Sequence, residues 1–351
     1  MVPMTGGQAP GILALGAYVP ERVMKNEEFE AYLDTSDEWI VTRTGIRERR
    51  IAAEDEYTSD LAFKAVEDLL RRHPGALEGV DGVIVATNTP DALFPDTAAL
   101  VQARFGLQGF AYDLLAGCPG WLYALAQAHA MVAAGLARKV LVVGAEALSK
   151  ILDWNDRATA VLFGDAGGAA VVGRVREGFG FRSFVLGADG TGAKELYHAC
   201  VAPRLPDGTS MEKRLHMNGR EVFKFAVRVM NTATLEAIEK AGLSPEDIKV
   251  FVPHQANLRI IDAARERLGL PWERVVVNVD RYGNTSTASI PLALKEAVDA
   301  GRIQEGDHVL LVSFGAGLTW AAAVLTWGGP DVRRPFPGPR LPAGGHGKGP
   351  L

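Results

Sequence analysis

Short apolar runs rich in valine alternate along this chain with longer segments whose apolar positions recur every three or four residues. The short runs have the length and β-branched content of buried strands, and they lie at residues 83–86, 140–143, 250–252, 275–279 and 309–312. The longer segments predict helices with one buried face, and they lie at residues 58–72, 120–134, 221–241 and 260–268. Because strands and helices alternate, the pattern predicts an α/β fold with a largely parallel sheet.

Similar segments recur in the same order in the two halves of the chain. Four pairs match: residues 81–86 with 247–252, 104–107 with 267–270, 134–135 with 300–301, and 140–143 with 309–312. Their offsets stay between 163 and 169 residues, which predicts a duplicated unit, with chance similarity among α/β units as the alternative. We therefore place a first half at residues 1–178 and a second half at residues 179–327.

The composition is typical of a globular protein with a large core. The 351 residues are 48% hydrophobic and carry a net charge of −5, which gives no reason to expect a nucleic-acid partner. Only two cysteines are present, Cys118 and Cys200, which excludes a disulfide framework or a CxxC metal motif and favours a reducing cytoplasm.

Neither end of the chain predicts membrane targeting. Residues 1–11 lack a secretory signal pattern. The most apolar helical segment, residues 120–137, is interrupted by Gln127 and His129, so we expect a buried helix there and no membrane partner. Residues 328–351 hold seven glycines and six prolines, which predicts a flexible tail.

Cys118 is the first candidate for chemistry. It lies in the segment YDLLAGCPGW, residues 112–121, between a predicted strand and an alanine-rich helix. Pro119 is suited to the first helical position, which would place Cys118 at or near the N-cap. The helix dipole and unpaired N–H groups would then lower the pKa of the thiol. An unreactive buried cysteine is the alternative.

His254 and Asn284 occupy comparable places in the second half. His254 directly follows one predicted strand, and Asn284 follows the next. Taken singly, they would be a loop histidine and a turn residue. Because ligand sites of open α/β sheets form at the carboxyl ends of strands, we expect Cys118, His254 and Asn284 to converge.

From residue 11 to residue 327 the chain resembles the β-ketoacyl-acyl-carrier-protein synthase III family, whose members are the initiating condensing enzymes of bacterial fatty-acid synthesis. The most specific segments are DTSDEWIVTRTGI at residues 34–46, PHQANLR at 253–259 and GNTS at 283–286. The resemblance implies a thiolase fold of five layers, αβαβα, built from two similar halves, and a homodimer. It implies that the reaction needs no metal and no redox cofactor. Acyl-CoA is counted as a substrate and not as a cofactor.

The resemblance also implies roles for individual residues. Cys118, His254 and Asn284 would form the catalytic triad, in which Cys118 takes the acyl group from an acyl-CoA primer such as acetyl-CoA. The backbone N–H groups of Cys118 and Ala316 would form the oxyanion hole. His254 and Asn284 would bind the thioester oxygen of malonyl-acyl-carrier protein and stabilise the enolate left when CO₂ departs.

Further residues match the family's binding surfaces. The residues that would contact coenzyme A are Trp39, Arg43, Arg157, Phe223, Ala256 and Asn257. Phe94 would close the acyl pocket of the partner subunit. Lys224 and Arg259 would attract the acidic carrier protein, and Lys224 belongs to a basic stripe with Arg220 and Arg228 that is otherwise typical of a solvated helix face.

The chain departs from the usual family pattern at Pro119, Trp121, Ala158 and Ala316. A β-carbon at Ala316 would alter the oxyanion hole or the acyl pocket, so the choice of primer stays open.

Other functions fit the sequence less well. A biosynthetic thiolase needs a second cysteine in a Cys-x-Gly motif, which Cys200 does not supply, and the elongating enzymes have a histidine in place of Asn284. A related acyltransferase that acts without decarboxylation is the main alternative. The segment GDAGG at residues 164–168 lacks the spacing of a nucleotide-binding motif, and an intact triad argues against a non-catalytic scaffold.

Overall fold

The computed structural model describes residues 9–329, so the predicted tail at 328–351 lies almost entirely outside the described residues. The strands are β1 (Pro10–Tyr18), β2 (Arg22–Lys25), β3 (Glu48–Ile51), β4 (Gly82–Ala86), β5 (Phe110–Leu114), β6 (Lys139–Glu146), β7 (Ala166–Arg174), β8 (Gly180–Ala188), β9 (Leu196–Tyr197), β10 (His216–Met217), β11 (Ile248–Pro253), β12 (His308–Gly315) and β13 (Thr319–Thr326). The helices are α1 (Glu27–Glu30), α2 (Asp37–Thr44), α3 (Thr58–Arg72), α4 (Thr97–Arg104), α5 (Gly120–Ala133), α6 (Arg157–Ala160), α7 (Gly219–Lys240), α8 (Leu258–Leu268), α9 (Val279–Tyr282) and α10 (Ser289–Asp299).

Two mixed sheets form the framework. The first has the strand order β1-β7-β6-β4-β5 and the second has the order β11-β12-β13-β8. β4 runs parallel to β5 and β6, and β11 runs parallel to β12, but the remaining pairs in the two sheets are antiparallel. The prediction of a largely parallel sheet is therefore wrong. One reason is that β12 and β13 are joined by a short turn, which only antiparallel strands permit.

The helices complete the five layers of a thiolase fold. α5 and α10 lie between the sheets, since each contacts strands of both. α3 and α4 pack on the outer face of the first sheet, and α7 packs on the outer face of the second. The first sheet uses strands between residues 10 and 174, and the second uses strands between residues 180 and 326. The division at residue 178 stays a prediction.

Burial follows the predicted periodicity closely. α3 buries its apolar face, including Leu61, Val66 and Leu69, against the first sheet. α5 is apolar on almost every side because it is enclosed by two sheets. The most apolar helical segment of the sequence is thus the central helix of the core.

One predicted strand is absent. Residues 275–279 do not form a strand: Val275 makes a single isolated bridge to β11, and α9 begins at Val279. The backbone of this segment forms hydrogen bonds with the buried side chain of Gln255, where a strand would bond to a neighbouring strand. The amide nitrogen of Gln255 donates to Val276 O at 3.0 Å, and its oxygen accepts from Asn278 N at 2.9 Å. A side-chain amide has replaced a neighbouring strand.

Candidate active site

A single cavity of about 910 Å³ brings the predicted chemical residues together. Cys118, His254, Asn284 and Ala316 all line it. Cys118 follows β5, His254 follows β11 and Ala316 follows β12, so the carboxyl ends of strands from both sheets meet at this point. The other lining residues are mostly apolar, which is suited to an acyl chain.

The turn that presents Cys118 depends on glycine. Pro119 is the N-cap of α5, so Cys118 lies one residue outside the cap. Gly117 has a φ of +66°, and a β-carbon there would lie 2.6 Å from Ala316 O. Only glycine combines that backbone conformation with so close an approach.

The Cys118 turn packs directly on the turn between β12 and β13. A β-carbon on Gly315 would lie only 2.5 Å from Cys118 N. The hydroxyl of Thr319 lies 2.8 Å from Ala116 O and 2.7 Å from Ala316 O, so it can donate to a carbonyl of either turn. These contacts fix the Cys118 and Ala316 backbones beside each other.

The thiol of Cys118 is not acidic in the resting protein. Burial is the largest influence and raises the pKa of Cys118 to about 12. A hydrogen bond with Ser286 lowers that pKa, and the nearby Glu146 carboxyl raises it. The predicted lowering of the pKa at the helix start is therefore wrong for the resting protein: the pKa of Cys118 is raised, with burial as the largest cause, and Cys118 lies one residue outside the N-cap.

Glu146 is the centre of a buried hydrogen-bond network below the cavity. Its side chain is fully buried and accepts hydrogen bonds from Asn88 N at 3.0 Å, Thr89 Oγ1 at 2.9 Å, Ser286 Oγ at 2.9 Å and Thr287 Oγ1 at 3.2 Å. Burial raises the pKa of the carboxyl, while these hydrogen bonds lower it. The network connects the ends of β4 and β6 to the segment after Asn284.

Ser286 links this network to the nucleophile. Its hydroxyl bonds to Glu146, and its side chain also bonds to Cys118. Among the described residues it is the one non-glycine residue with a positive φ, at 50°. A non-glycine residue held in the left-handed region is strained, and such strain is commonly found at functional sites.

His254 is neutral, and only one of its two ring nitrogens has a hydrogen-bond partner. Its Nδ1 lies 2.6 Å from Ser289 Oγ, while its Nε2 is buried without a hydrogen-bond partner. Phe314 contacts the ring edge-on with centroids 5.4 Å apart. Burial lowers the pKa of His254 to about 3, so the imidazole is uncharged at neutral pH.

Asn284 is held by its backbone and by its side-chain oxygen. Its N–H donates to Leu162 O at 2.8 Å, and its carbonyl accepts from Gly164 N at 3.0 Å. The side-chain oxygen accepts from Ser286 N at 2.9 Å. Because the oxygen is engaged, the amide NH₂ group remains to donate toward the cavity that Asn284 lines.

The six residues predicted to contact coenzyme A fall into two adjoining groups. Phe223, Ala256 and Asn257 line the cavity. Trp39 lies outside it and is contacted by two guanidinium groups, with Cζ of Arg43 at 4.4 Å and Cζ of Arg157 at 4.9 Å from the ring centroid.

Asn257 joins the two groups. Its side-chain nitrogen donates to Arg43 O at 3.0 Å, and its oxygen caps α8. The arginine–tryptophan cluster is thereby fixed next to the cavity.

The residues predicted to meet other proteins lie near the cavity but do not line it. Phe94 is 85% exposed in the single chain, and its neighbour Leu93 lines the cavity. Arg259 places its guanidinium 5.3 Å from the ring centroid of Phe223. Lys224 pairs with Glu221 at 2.7 Å, so its charge is partly offset.

Four residues of this site were missed from sequence: Glu146, Ser286, Ser289 and Thr319. Glu146 had a usable signal, since an acidic residue closes an apolar strand at the edge where the site forms. Ser286 and Ser289 lie within five residues of Asn284. Thr319 had no signal in the sequence, because its hydroxyl matters only where the Cys118 turn and the turn between β12 and β13 come into contact.

Within residues 9–329 every helix is too short or too polar to span a bilayer. In the same part of the chain, no group of three or more His, Cys, Asp or Glu side chains is arranged to hold a metal ion.

Comparisons with known proteins give consistent relatives. The models for 3-oxoacyl-[acyl-carrier-protein] synthase III and for its C-terminal part match residues 112–190 and 238–327. A β-ketoacyl-[acyl-carrier-protein] synthase III from Deinococcus deserti is 57% identical over 320 residues, which cover 91% of each chain. The crystal structure of the Thermus thermophilus synthase is 92% identical with a TM-score of 0.90, covering 91% of this chain and 99% of that one. The Aquifex aeolicus synthase is 43% identical with a TM-score of 0.85, covering 91% of this chain and 100% of that one.

Proposed function

The chain belongs to the β-ketoacyl-[acyl-carrier-protein] synthase III family, and from that premise we propose a function for its cavity. The protein is a condensing acyltransferase of fatty-acid synthesis. It joins an acyl-CoA primer, acetyl-CoA in our proposal, to malonyl-acyl-carrier protein and releases 3-oxoacyl-acyl-carrier protein, CoA and CO₂. The observation that supports this most is the convergence of Cys118, His254 and Asn284 in one apolar cavity.

The first half-reaction transfers the primer to Cys118. The sulfur attacks the thioester carbonyl of the acyl-CoA, and the oxyanion that forms is stabilised by the N–H groups of Cys118 and Ala316. Contact between the two turns supports this pair of donors, because it fixes both backbones before substrate arrives. The C–S bond to CoA then breaks, and the proton of the thiol leaves with CoA.

The second half-reaction uses the two donors that face the cavity. Nε2 of His254 and the amide of Asn284 bind the thioester oxygen of the malonyl group. Loss of CO₂ leaves an enolate, whose charge these donors stabilise. The enolate carbon attacks the acyl group on Cys118, and the sulfur leaves and regains a proton. His254 acts as a neutral hydrogen-bond donor, since its pKa of about 3 makes it a poor base.

Substrate recognition follows from the groups around the cavity. Trp39, Arg43 and Arg157 offer stacking and cation–π contacts for the adenine of coenzyme A. The remainder of coenzyme A, which leads from the adenine to the thioester, contacts Phe223, Ala256 and Asn257. Arg259 and Lys224 attract the acidic carrier protein.

We also propose a homodimer in the cytoplasm, with neither nucleic acid nor membrane as partner and no cofactor. β5 is an edge strand of the first sheet, and a free edge invites pairing with a second copy. Leu93, Phe94 and Leu115 near this edge are exposed by 65%, 85% and 75% in the single chain. Such an apolar surface is typical of a subunit interface.

The decisive experiment uses the two cysteines as a matched pair. After exposure to acetyl-CoA, intact-protein mass spectrometry should find one acetyl group on the wild type and on Cys200→Ser, and none on Cys118→Ser. With malonyl-acyl-carrier protein added, the first two proteins should release CO₂ and form the 3-oxoacyl product. Acetylation of Cys118→Ser at Cys200 would overturn the assignment of the nucleophile. Acetyl transfer without CO₂ release would favour an acyltransferase with another acceptor.

A further inference from the structure

The two ring nitrogens of His254 have different surroundings. Nδ1 lies 2.6 Å from the hydroxyl oxygen of Ser289, a short contact that requires one hydrogen between the two atoms. Nε2 is buried with no partner in the protein, and the residue lines the cavity. A neutral imidazole has a single N–H, so the hydrogen between Nδ1 and Ser289 decides what Nε2 presents to substrate.

The surroundings of Ser289 determine where that hydrogen belongs. Ser289 is only 1% exposed, and its oxygen already lies 3.4 Å from the backbone N–H of Gln255, which can only donate. If Nδ1–H also donated to this oxygen, the hydroxyl hydrogen would be buried without an acceptor. A buried donor without an acceptor is strongly disfavoured, because it loses its hydrogen bond to water and gains none in the protein. The arrangement that satisfies every donor has the Ser289 hydroxyl donating to Nδ1.

We propose that Ser289 is a positioning residue that holds His254 in the tautomer with its hydrogen on Nε2, and thereby makes His254 a donor to the malonyl thioester. The proposal rests on the function proposed above. Ser289 is the first residue of α10, so its hydroxyl is carried by a helix packed between the two sheets. The tautomer is therefore set before substrate binds.

The tautomer matters for the second half-reaction only. With hydrogen on Nδ1, Nε2 would turn a lone pair toward the thioester oxygen and repel the charge of the enolate. Asn284 would then be the one remaining donor of the pair. Acyl transfer to Cys118 uses the backbone N–H groups of Cys118 and Ala316, which Ser289 does not contact.

The kinetic test compares Ser289→Ala with Ser313→Ala. Ser313 is a suitable control because it is also buried, lies beside Phe314, and has a hydroxyl with no hydrogen-bond partner. Ser289→Ala should lower kcat for decarboxylation roughly 100-fold, the lower end of what removal of one oxyanion-hole donor costs, with little change in KM for the malonyl substrate. Acetylation of Cys118 should stay at the wild-type rate, and Ser313→Ala should match the wild type in both steps.

Rescue separates hydrogen bonding from packing. Ser289→Thr keeps the hydroxyl and should recover most of the lost decarboxylation. Equal loss of acetylation and decarboxylation in Ser289→Ala, or full decarboxylation activity in Ser289→Ala, would contradict the proposal.

Nitrogen-15 NMR of the wild type tests the tautomer without any substitution at Ser289. The chain has seven histidines, and the His254 signals are assigned by their absence from His254→Gln. We expect that from pH 6 to pH 8 the hydrogen of the His254 ring is on Nε2 and that Nδ1 carries none. A hydrogen on Nδ1 would overturn the inference even if the enzyme makes the expected product. A protein that shows the expected tautomer but forms no product would instead overturn the proposed function.

Discussion

At the scale of single residues, the site pairs a partly buried thiol, which lines the cavity, with a fully buried carboxyl. Cys118 and Glu146 are joined through Ser286, and both have a pKa raised by burial. The thiol is therefore stored in its protonated and less reactive form. Six hydrogen bonds to the Glu146 carboxyl connect the loop after β4 and the segment after Asn284 to the end of β6. We interpret these connections as the structural reason for keeping a carboxyl that raises the pKa of Cys118.

Replacing that carboxyl should make Cys118 more acidic. In Glu146→Gln the negative charge is gone, so the pKa of Cys118 should fall although burial still raises it. The pH profile of alkylation by iodoacetamide should move to lower pH, and each unit of movement raises the thiolate fraction roughly tenfold on the acid side.

Asp165→Asn is the matched control for this experiment. Asp165 is also buried, but it accepts hydrogen bonds from Ala52 and Ser149 and does not contact Cys118. The pH profile of Cys118 alkylation in Asp165→Asn should coincide with that of the wild type. An unchanged profile in Glu146→Gln would mean that Glu146 is protonated and exerts no charge effect.

At the scale of elements, α8 places charge where helix stability does not favour it. Arg259 is the second residue of α8, and a cation in the first turn opposes the helix dipole. Its contact with Phe223 places it beside the cavity instead. Helix stability therefore does not explain this position, which agrees with the proposed attraction of an acidic carrier protein.

Reversal of this charge should weaken use of the carrier protein. Arg259→Glu should raise KM for malonyl-acyl-carrier protein about tenfold or more, because repulsion replaces attraction, while acetylation of Cys118 by acetyl-CoA changes little. Both rates are measured at low and at physiological salt.

Arg267→Glu provides the comparison on the same helix. Arg267 lies in the last turn of α8, roughly 12 Å farther along the axis, where the same charge change opposes the dipole. It should leave KM near the wild-type value. Docking at this surface would be excluded if Arg267→Glu had the larger effect, or if Arg259→Glu slowed acetylation to the same extent.

At the scale of the whole molecule, a single chain leaves its cavity rim incomplete. Leu93 and Leu115 line the cavity while remaining largely exposed. Phe94 does not line the cavity, and 85% of its surface is exposed. A second copy paired at β5 would cover these side chains and bring its Phe94 to the first copy's cavity.

Mixed dimers test whether Phe94 acts across the interface. Phe94→Ala alone should change the preference among primer-CoAs by roughly tenfold, as a change in pocket size commonly does, with the dimer mass retained in light scattering. In a mixed dimer with Cys118→Ser, the Phe94→Ala subunit keeps the reactive cysteine and receives the intact Phe94. The mixed dimer should therefore show the wild-type preference.

The control for the mixed-dimer experiment is Leu136→Ala. Leu136 is also largely exposed, at 78%, but lies outside the cavity lining. It should leave primer preference unchanged. If the mixed dimer kept the altered preference of Phe94→Ala, then Phe94 would act within its own subunit.

The sequence by itself determined several of the helices and strands and supplied the candidate residues for the chemistry. Periodic burial predicted α3 over its full length, from Thr58 to Arg72, because one apolar face must be buried. Cys118 and His254 reach one cavity as the topological argument predicted, since both follow strands whose carboxyl ends meet there. Asn284 also lines this cavity, but it follows the helix α9, because the strand predicted before it is absent.

Only the tertiary structure decided the environment of those groups. Whether Cys118 is acidic depends on burial and on Glu146, which lies 28 residues away in sequence. The tautomer of His254 depends on Ser289, and the missing strand at Val275 depends on the side chain of Gln255. Periodicity and motifs report which faces are buried, but proton positions and pKa values depend on the atoms packed around each group, and folding alone brings those atoms together.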